Sequence, residues 1–420
     1  MRYEKYKEAN LPWLKEVPEH WEIKNINNIF EERRTKVSDK DYQPLSVTKN
    51  GIMLQLENVA KSDNSDNRKK VTAGDLVINS RSDRKGSSGL SSYTGSVSLI
   101  NTVLSPRMGF RKYWHYLLKS NDFQEEFYRN GKGIVADLWS TNFQSMKCIE
   151  FPIPPLFEQD QIANFLDWKI NEINRLIKVE KKKIASLNDL NSKIIYKNID
   201  EISEYKLVPL KRICSVTPGK EILKEVESTD DAAIRVFGSG ESVFKYTDRF
   251  MLDGEHIIFG RKGTIGKPYI VDGKFWIIDT AYAMINNELS DFRFLYYTMI
   301  IFPWDNYSTN TVKPSIVATQ ILAEKIKVPS VNVQIEVATR IDKLLDKNNA
   351  LINLSYEYIS NLQQLKQSLI SEVVTGKINV QNIEIPEYEV VEAESEEDVE
   401  ELEDEDVEEL EIDIEEDEEE

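Results

Sequence analysis

The chain has 420 residues, room for two or three domains at about 150 residues each. Hydrophobic residues make up 40% and aromatics 10%, which excludes wholesale disorder. The formal net charge of −19 belongs to one end: residues 384–420 carry 24 Asp/Glu and no Lys or Arg, and removing those 24 negative charges leaves the remainder at +5.

The expectation is a mildly basic body with an acidic tail. Met1–Asn10 is polar and lacks an apolar signal core. No run approaches the ~18–20 apolar residues of a membrane helix, so no membrane partner is expected. Cys148 and Cys214 cannot build a disulfide framework, which suits a reducing cytoplasm. His20, His115 and His256 are scattered without metal-ligand spacing and read as structural, so no metal site is expected.

In chain order, the first 157 residues read as a mixed α/β globule. Asp75–Asn79 and Ser96–Ile100 are short β-type runs between turn residues, and Arg111–Leu118 reads as a helix. Phe151-Pro-Ile-Pro-Pro155 ends this part. A long helix is expected over 158–203, with Ile162, Leu166, Ile170, Ile173, Ile177, Ile184, Leu187, Leu190 and Ile194 at spacings of 3, 4 or 7. Its opening Glu158-Gln159-Asp160-Gln161 reads as helix initiation, where acids are favoured. A second globule is expected over 204–332, with strands at Tyr269–Val271 and Phe275–Ile278 and a helix at Phe292–Ile300. A second long helix follows over 333–380, with Ile341, Leu344, Asn348, Leu351, Tyr358, Leu362, Leu365 and Leu369 on its stripe and a stop at Thr375-Gly376. Residues 381–420 alternate acids with single Val, Leu or Ile and are expected to be disordered.

The order repeats. A shift of 175 residues lays Pro154–Ile195 on Pro329–Ile370 without a gap, with 11 of 42 positions identical. They include Pro154/Pro329, Gln159/Gln334, Asp167/Asp342 and Asn174/Asn349, which shared helical patterning alone would not match. Upstream, Gly74-Asp-Leu-Val-Ile-Asn-Ser-Arg81 resembles Gly254-Glu-His-Ile-Ile-Phe-Gly-Arg261. The fold class expected is therefore α+β: two tandem globules separated by two long helices that pair as an antiparallel coiled coil with pseudo-two-fold symmetry. One apolar stripe alone would be exposed, and a second of the same phase covers it. Asn348 would then fix register. The alternative is two ordinary core helices inside one α/β domain.

Enzyme motifs are missing: there is no Gly-x-x-x-x-Gly-Lys-Ser/Thr loop, no Gly-x-Ser-x-Gly elbow, and no Asn/Asp-Pro-Pro-aromatic run of an amino-methyltransferase. Cationic loops are present. Residues 61–112 hold ten Lys/Arg against four Asp, Lys61, Arg68 and Lys69 among them. Arg81, Arg84 and Lys85 sit among Ser and Gly, and Arg261, Lys262 and Lys267 occupy the equivalent place in the second half. Such loops offer phosphate donors, glycines that let backbone N–H groups approach, and arginines that read guanine edges. The alternative for each is an ordinary polar turn. The tryptophans, Trp139 among them, read as core or interface residues.

Three segments resemble one family, the specificity subunits of type I restriction–modification systems. Leu11-Pro-Trp-Leu-Lys-Glu-Val-Pro-Glu-His-Trp21 is similar to its opening segment, and Phe151–Ala163 to the junction between a target-recognition domain and a spacer helix. Leu365-Lys-Gln-Ser-Leu-Ile-Ser-Glu-Val-Val-Thr-Gly-Lys-Ile378 is similar to its closing signature. Val333 stands where the first half has Glu158, Tyr205 replaces a Trp, and the acidic tail lies outside the pattern.

The resemblance implies a non-catalytic reader of double-stranded DNA. Its two target-recognition domains would each take half of a bipartite target. The paired helices would set the spacer and dock two modification subunits, with restriction subunits completing the assembly. It implies no cofactor in this subunit; S-adenosylmethionine, ATP and Mg would belong to the partners. The competing reading is a coiled-coil interaction scaffold without sequence-specific DNA contacts. The tail reads either as a solvated solubility segment or as a competitor of DNA phosphates for the basic loops.

Overall fold

A computed structural model describes residues 2–55, 67–132, 140–230, 233–307 and 315–391. The chain forms two compact units: Met1–Val179 with Tyr358–Glu420, and Glu180–Glu357. The division falls inside both long helices. Among the described residues the helices are α1 (Arg111–Lys119), α2 (Asn121–Arg129), α3 (Phe143–Met146), α4 (Leu156–Asp200), α5 (Phe292–Ile300), α6 (Ala318–Ala323) and α7 (Val331–Val374). At 45 and 44 residues, α4 and α7 are the expected rods.

Each unit contains the same antiparallel four-stranded sheet. In the first unit the strand order is Ser88–Leu90, Leu76–Asn79, Asn101–Pro106, Phe30–Glu32. In the second it is Tyr269–Val271, His256–Gly260, Ala281–Asn286, Cys214–Pro218. A two-stranded ribbon leads into each rod: Glu22–Asn25 with Glu150–Ile153, and Lys206–Pro209 with Lys325–Val328. The units differ after α1 and α5. The first adds α2, whose Phe123 and Phe127 are buried, where the second has a short 3-10 turn at Trp304–Asn306.

The first unit packs Trp21, Phe30, Tyr113, Trp114 and Phe151 against Ile162 and Leu166 of α4 and Ile370, Val373 and Val374 of α7. The second has a globule core around Phe259, Leu295, Met299 and Trp304, and a helical core of Ile195, Ile199, Val337, Ile341 and Leu345. In each unit the rods run antiparallel. In the second, Asn191 meets Asn348 while Ile195 and Ile199 pack with Val337 and Ile341. In the first, Lys366 Nζ donates to Asn174 Oδ1 at 3.2 Å, while Ile162 and Leu166 pack with Val373 and Val374.

The buried seam corrects the expected stripe. In α7 it runs Ile341, Leu345, Asn348, Ile352, Ser355, Ile359, Leu362, in steps of three and four. A shift of 175 gives Leu166, Ile170, Ile173, Ile177, Glu180, Ile184 and Leu187 in α4. Leu344 and Leu365 were expected on the seam but are 48% and 53% exposed. Leu344 lies one residue, about 100° of helix, away from Leu345, which takes the seam position. Leu351 is half-buried at the seam edge.

The expected tail also changes. Residues 381–391 are not free of the body: they form a strap along α4. Gln161 Nε2 donates to Val380 O at 3.0 Å and Ile383 O at 2.7 Å. Asn171 donates through Nδ2 to Glu389 O at 2.8 Å and accepts from Val391 N–H at 2.7 Å. Ile383 and Ile385 pack on the first core. The apolar residues that interrupt the acids give this strap its buried side. Before it, Gly376 ends α7 at φ 77° while Ile378 N–H bonds back to Glu372 O at 3.1 Å. A Cβ there would lie 2.5 Å from Pro18 Cδ, so both conformation and space require glycine.

Candidate nucleic-acid interface

In the first unit the cationic loop follows the Leu76–Asn79 strand, and the surrounding elements hold its backbone. The buried Lys119, from the end of α1, donates to Lys49 O and, at 3.1 Å, to Gly86 O. The Tyr128 hydroxyl of α2 lies 3.3 Å from both Asn79 O and Arg84 O. Thr141 N–H donates to Ser80 O at 2.9 Å, and Arg81 forms a β-bridge with Ser140.

On this frame the three candidate side chains differ. Arg81 is bidentate on Asp83, at 2.9 and 2.7 Å. Lys85 is paired with Glu125. Arg84 is partly exposed and has no side-chain partner among the described residues.

The second unit builds the same loop after His256–Gly260. Arg261 N–H donates to Thr280 O at 2.7 Å, Ile316 N–H donates to Arg261 O at 3.0 Å, and Lys262 forms a β-bridge with Ser315. A Cβ on Gly260 would meet Thr264 O at 1.9 Å, so the loop folds back over its own strand only with glycine there. Arg261 lies over the Tyr282 ring, 5.7 Å from its centroid. Lys262 Nζ is 3.5 Å from the Asp279 carboxylate. Lys267 is exposed and has no side-chain partner among the described residues.

Ser140 and Ser315 are 175 residues apart, the period of the repeat, and each bridges its own unit's cationic loop. The two loops are thus one construction made twice. Sequence reasoning missed the carboxylates that already hold Arg81, Lys85 and Lys262, because Asp83, Glu125 and Asp279 carry no periodic signal.

Two of the basic residues counted toward the interface turn inward. Arg68 is buried and donates to Ser96 Oγ at 2.9 Å. Lys69 donates to Asn101 O at 2.9 Å, and burial holds its pKa below the usual lysine range. Lys61 and Trp139 lie outside the described residues.

Glu158 also departs from the helix-starting role. It is fully buried and accepts from Trp21 Nε1 at 3.0 Å, from the Tyr3 hydroxyl, and from His20 Nε2 at 2.8 Å. It ties the opening segment to the start of α4. His115 is structural: its Nδ1 accepts Leu90 N–H at 3.2 Å, and burial pushes its pKa down to about 3. No group of three His, Cys, Asp or Glu able to hold a metal occurs among the described residues. No helix among them is long and apolar enough to cross a membrane.

The two units share one sheet order, present a cationic loop at the same strand end and are each rooted in antiparallel rods. Residues 202–361 match the type I restriction modification DNA specificity domain. A putative type I restriction enzyme MjaX specificity subunit of Methanocaldococcus jannaschii is 23% identical over 89% of this chain and 98% of its own length. The type I restriction enzyme EcoprrI specificity subunit of Escherichia coli is 23% identical over 37% of this chain and 39% of its own. A chain from a study of complex assembly and conformational transition in the type I restriction–modification system shares the fold. Its TM-score is 0.54 at 11% identity, over 86% of this chain and 99% of that one. Residues 202–361 thus carry a type I restriction modification DNA specificity domain, and the chain is similar along most of its length to a specificity subunit of a type I restriction enzyme.

Proposed function

We propose that this subunit reads a bipartite target in double-stranded DNA, one half-site per unit, and docks two modification subunits and the restriction subunits that carry the chemistry. The observation that carries this reading is the duplicated loop: Arg81, Arg84 and Lys85 on one copy, Arg261, Lys262 and Lys267 on the other, both stapled through Ser140 or Ser315.

Exposed ion pairs such as Arg81–Asp83 contribute only about 0–1 kcal/mol, so a phosphate or a guanine edge can take the guanidinium at little cost. The carboxylate keeps the fork positioned until then. Arg84 and Lys267 offer their charge directly. Outside the seam, Leu190 and Leu365 are identical under the repeat and are 45% and 53% exposed. With Leu354 and Tyr356 they give the rods apolar area for partner subunits. S-adenosylmethionine, ATP and Mg enter with those partners, and the assembly works on DNA in the cytoplasm.

The test starts from methylated adenines mapped in the host genome, which give the target. Arg84→Ala should weaken binding at one half-site and Lys267→Ala at the other, by about 1–3 kcal/mol where the residue reads a base. A phosphate contact should instead reduce the salt slope by about one. Unchanged affinity, specificity and salt slope in both variants would reject the assignment. Weak, salt-dependent binding without sequence preference would favour a scaffold.

A further inference from the structure

Each unit sets a hairpin beside its cationic loop. In the second unit Ile234–Phe237 pairs with Val243–Thr247, and residues 238–242 form the tip. The base of the tip is fixed: Ile278 N–H donates to Phe237 O at 3.0 Å, and the buried Tyr269 donates through its hydroxyl to Gly238 O at 2.8 Å. Ser239 then lies against the cationic loop. A Cβ on Gly260 would stand 3.1 Å from Ser239 Cβ, and one on Gly263 would stand 3.3 Å from Ser239 Oγ. Glu241 follows two residues, at most about 7 Å of chain, beyond Ser239. It is exposed and has no side-chain partner among the described residues.

In the first unit Leu45–Thr48 pairs with Gly51–Leu54 around the turn Lys49-Asn50. Lys119 Nζ donates both to Lys49 O in that turn and to Gly86 O in the cationic loop. The two hairpins hold the same place in the frame. Pro44, at the start of the first, bridges Ser96 in parallel, as Arg235–Phe237 of the second pairs in parallel with Phe275–Ile277. Ser96 precedes the Asn101–Pro106 strand as Phe275–Ile277 precedes Ala281–Asn286.

The frames repeat and the tips do not. The first turn is Lys49-Asn50; the second is Gly238-Ser-Gly-Glu-Ser242. Both cationic loops offer the same kind of donor, suited to phosphates and guanine edges, so they do not by themselves distinguish two half-sites. A carboxylate beside such a loop repels phosphates, and it accepts hydrogen bonds without donating any. It is rewarded only where a base presents an amine. Among major-groove edges, the N4 amine of cytosine donates with no acceptor beside it, whereas adenine sets N7 next to its amine.

We propose that the tip of this hairpin reads a base in the half-site of the second unit, with the Glu241 carboxylate accepting from the N4 amine of a cytosine. The inference deepens the bipartite DNA reading and rests on it: the cationic loop anchors the duplex, and the tip beside it selects sequence.

The test uses the full chain assembled with its partner subunits, and the target given by methylation mapping. Affinity is measured for the target and for duplexes each changed at one base pair of a half-site. In the unsubstituted assembly, replacing one C·G pair should cost about fivefold or more. Glu241→Ala should reduce the loss at that pair to within about twofold and leave the losses at other pairs as they were. Glu241→Gln should move the preference there toward adenine, whose N6 and N7 an amide engages together. A merely structural role would not change which base is preferred. Unchanged losses at every pair in both variants, or an equal fall in affinity for all duplexes, would overturn the assignment to Glu241. An unsubstituted assembly that binds every duplex alike would instead overturn the bipartite reading, and this inference with it.

Discussion

Gln159 and Gln334 show why particular polar residues recur at the period of 175. Gln159 accepts Phe110 N–H at 2.8 Å and donates to Pro154 O at 2.8 Å; Gln334 accepts Asp291 N–H at 2.8 Å and donates to Pro329 O at 3.0 Å. Each amide joins the start of a short helix to the start of a rod, and only an amide supplies donor and acceptor together. Asp167 and Asp342 do the parallel work eight residues, about two turns, further on. Asp167 accepts from Tyr116 at 2.5 Å and Lys112, and Asp342 from Tyr297 and Arg293. Both glutamines are buried, so Gln159→Ala or Gln334→Ala leaves main-chain partners unpaired and should cost about 2 kcal/mol in its own unit. Thermal unfolding of each single variant checks this. A loss below about 0.5 kcal/mol in both would mean that solvent replaces the amide and that the repeat has another cause.

At the scale of elements, the rods, α1, α5 and the strands Leu76–Asn79 and Tyr269–Val271 were readable from the sequence. Their apolar residues recur with the period of the element, and the duplication states each pattern twice. What was not readable turns on single residues. Leu344 and Leu345 are chemically alike, and only packing against α4 selects Leu345, which is 6% exposed, over Leu344 at 48%. Leu345→Ala should therefore cost about 2–4 kcal/mol and Leu344→Ala no more than about 0.5 kcal/mol. Equal losses in denaturant titrations would put the seam back on the stripe first expected. The strap escaped notice for a related reason. It sits at the head of a run of acids, while the features that dock it are two apolar side chains, Ile383 and Ile385, and two amides on another element. The carboxylate partners of the cationic loops were likewise invisible, since Glu125 lies forty residues from Lys85 in the sequence.

For the whole molecule, the polar pairs across the rods bear on spacer length. Asn348 Nδ2 donates to Asn191 Oδ1 at 2.9 Å, and Asn191 Nδ2 donates to Asn349 Oδ1 at 3.1 Å, in the second unit. The shift of 175 turns Asn191 and Asn349 into Lys366 and Asn174, the bonded pair of the first. A slipped register would set these amides against Ile or Leu and leave them unpaired, so the rods keep one alignment. If the rods set the distance between half-sites, a seven-residue insertion at equivalent positions of α4 and α7, between the two polar pairs, keeps the seam in phase. It lengthens each rod by about 10 Å. At about 3.4 Å per base pair this corresponds to roughly three added base pairs in the spacer. Methylation mapping of cells carrying the lengthened subunit should then find both half-sites unchanged and the spacer longer. An unchanged spacer with intact modification would show that the rods hold partners without measuring DNA.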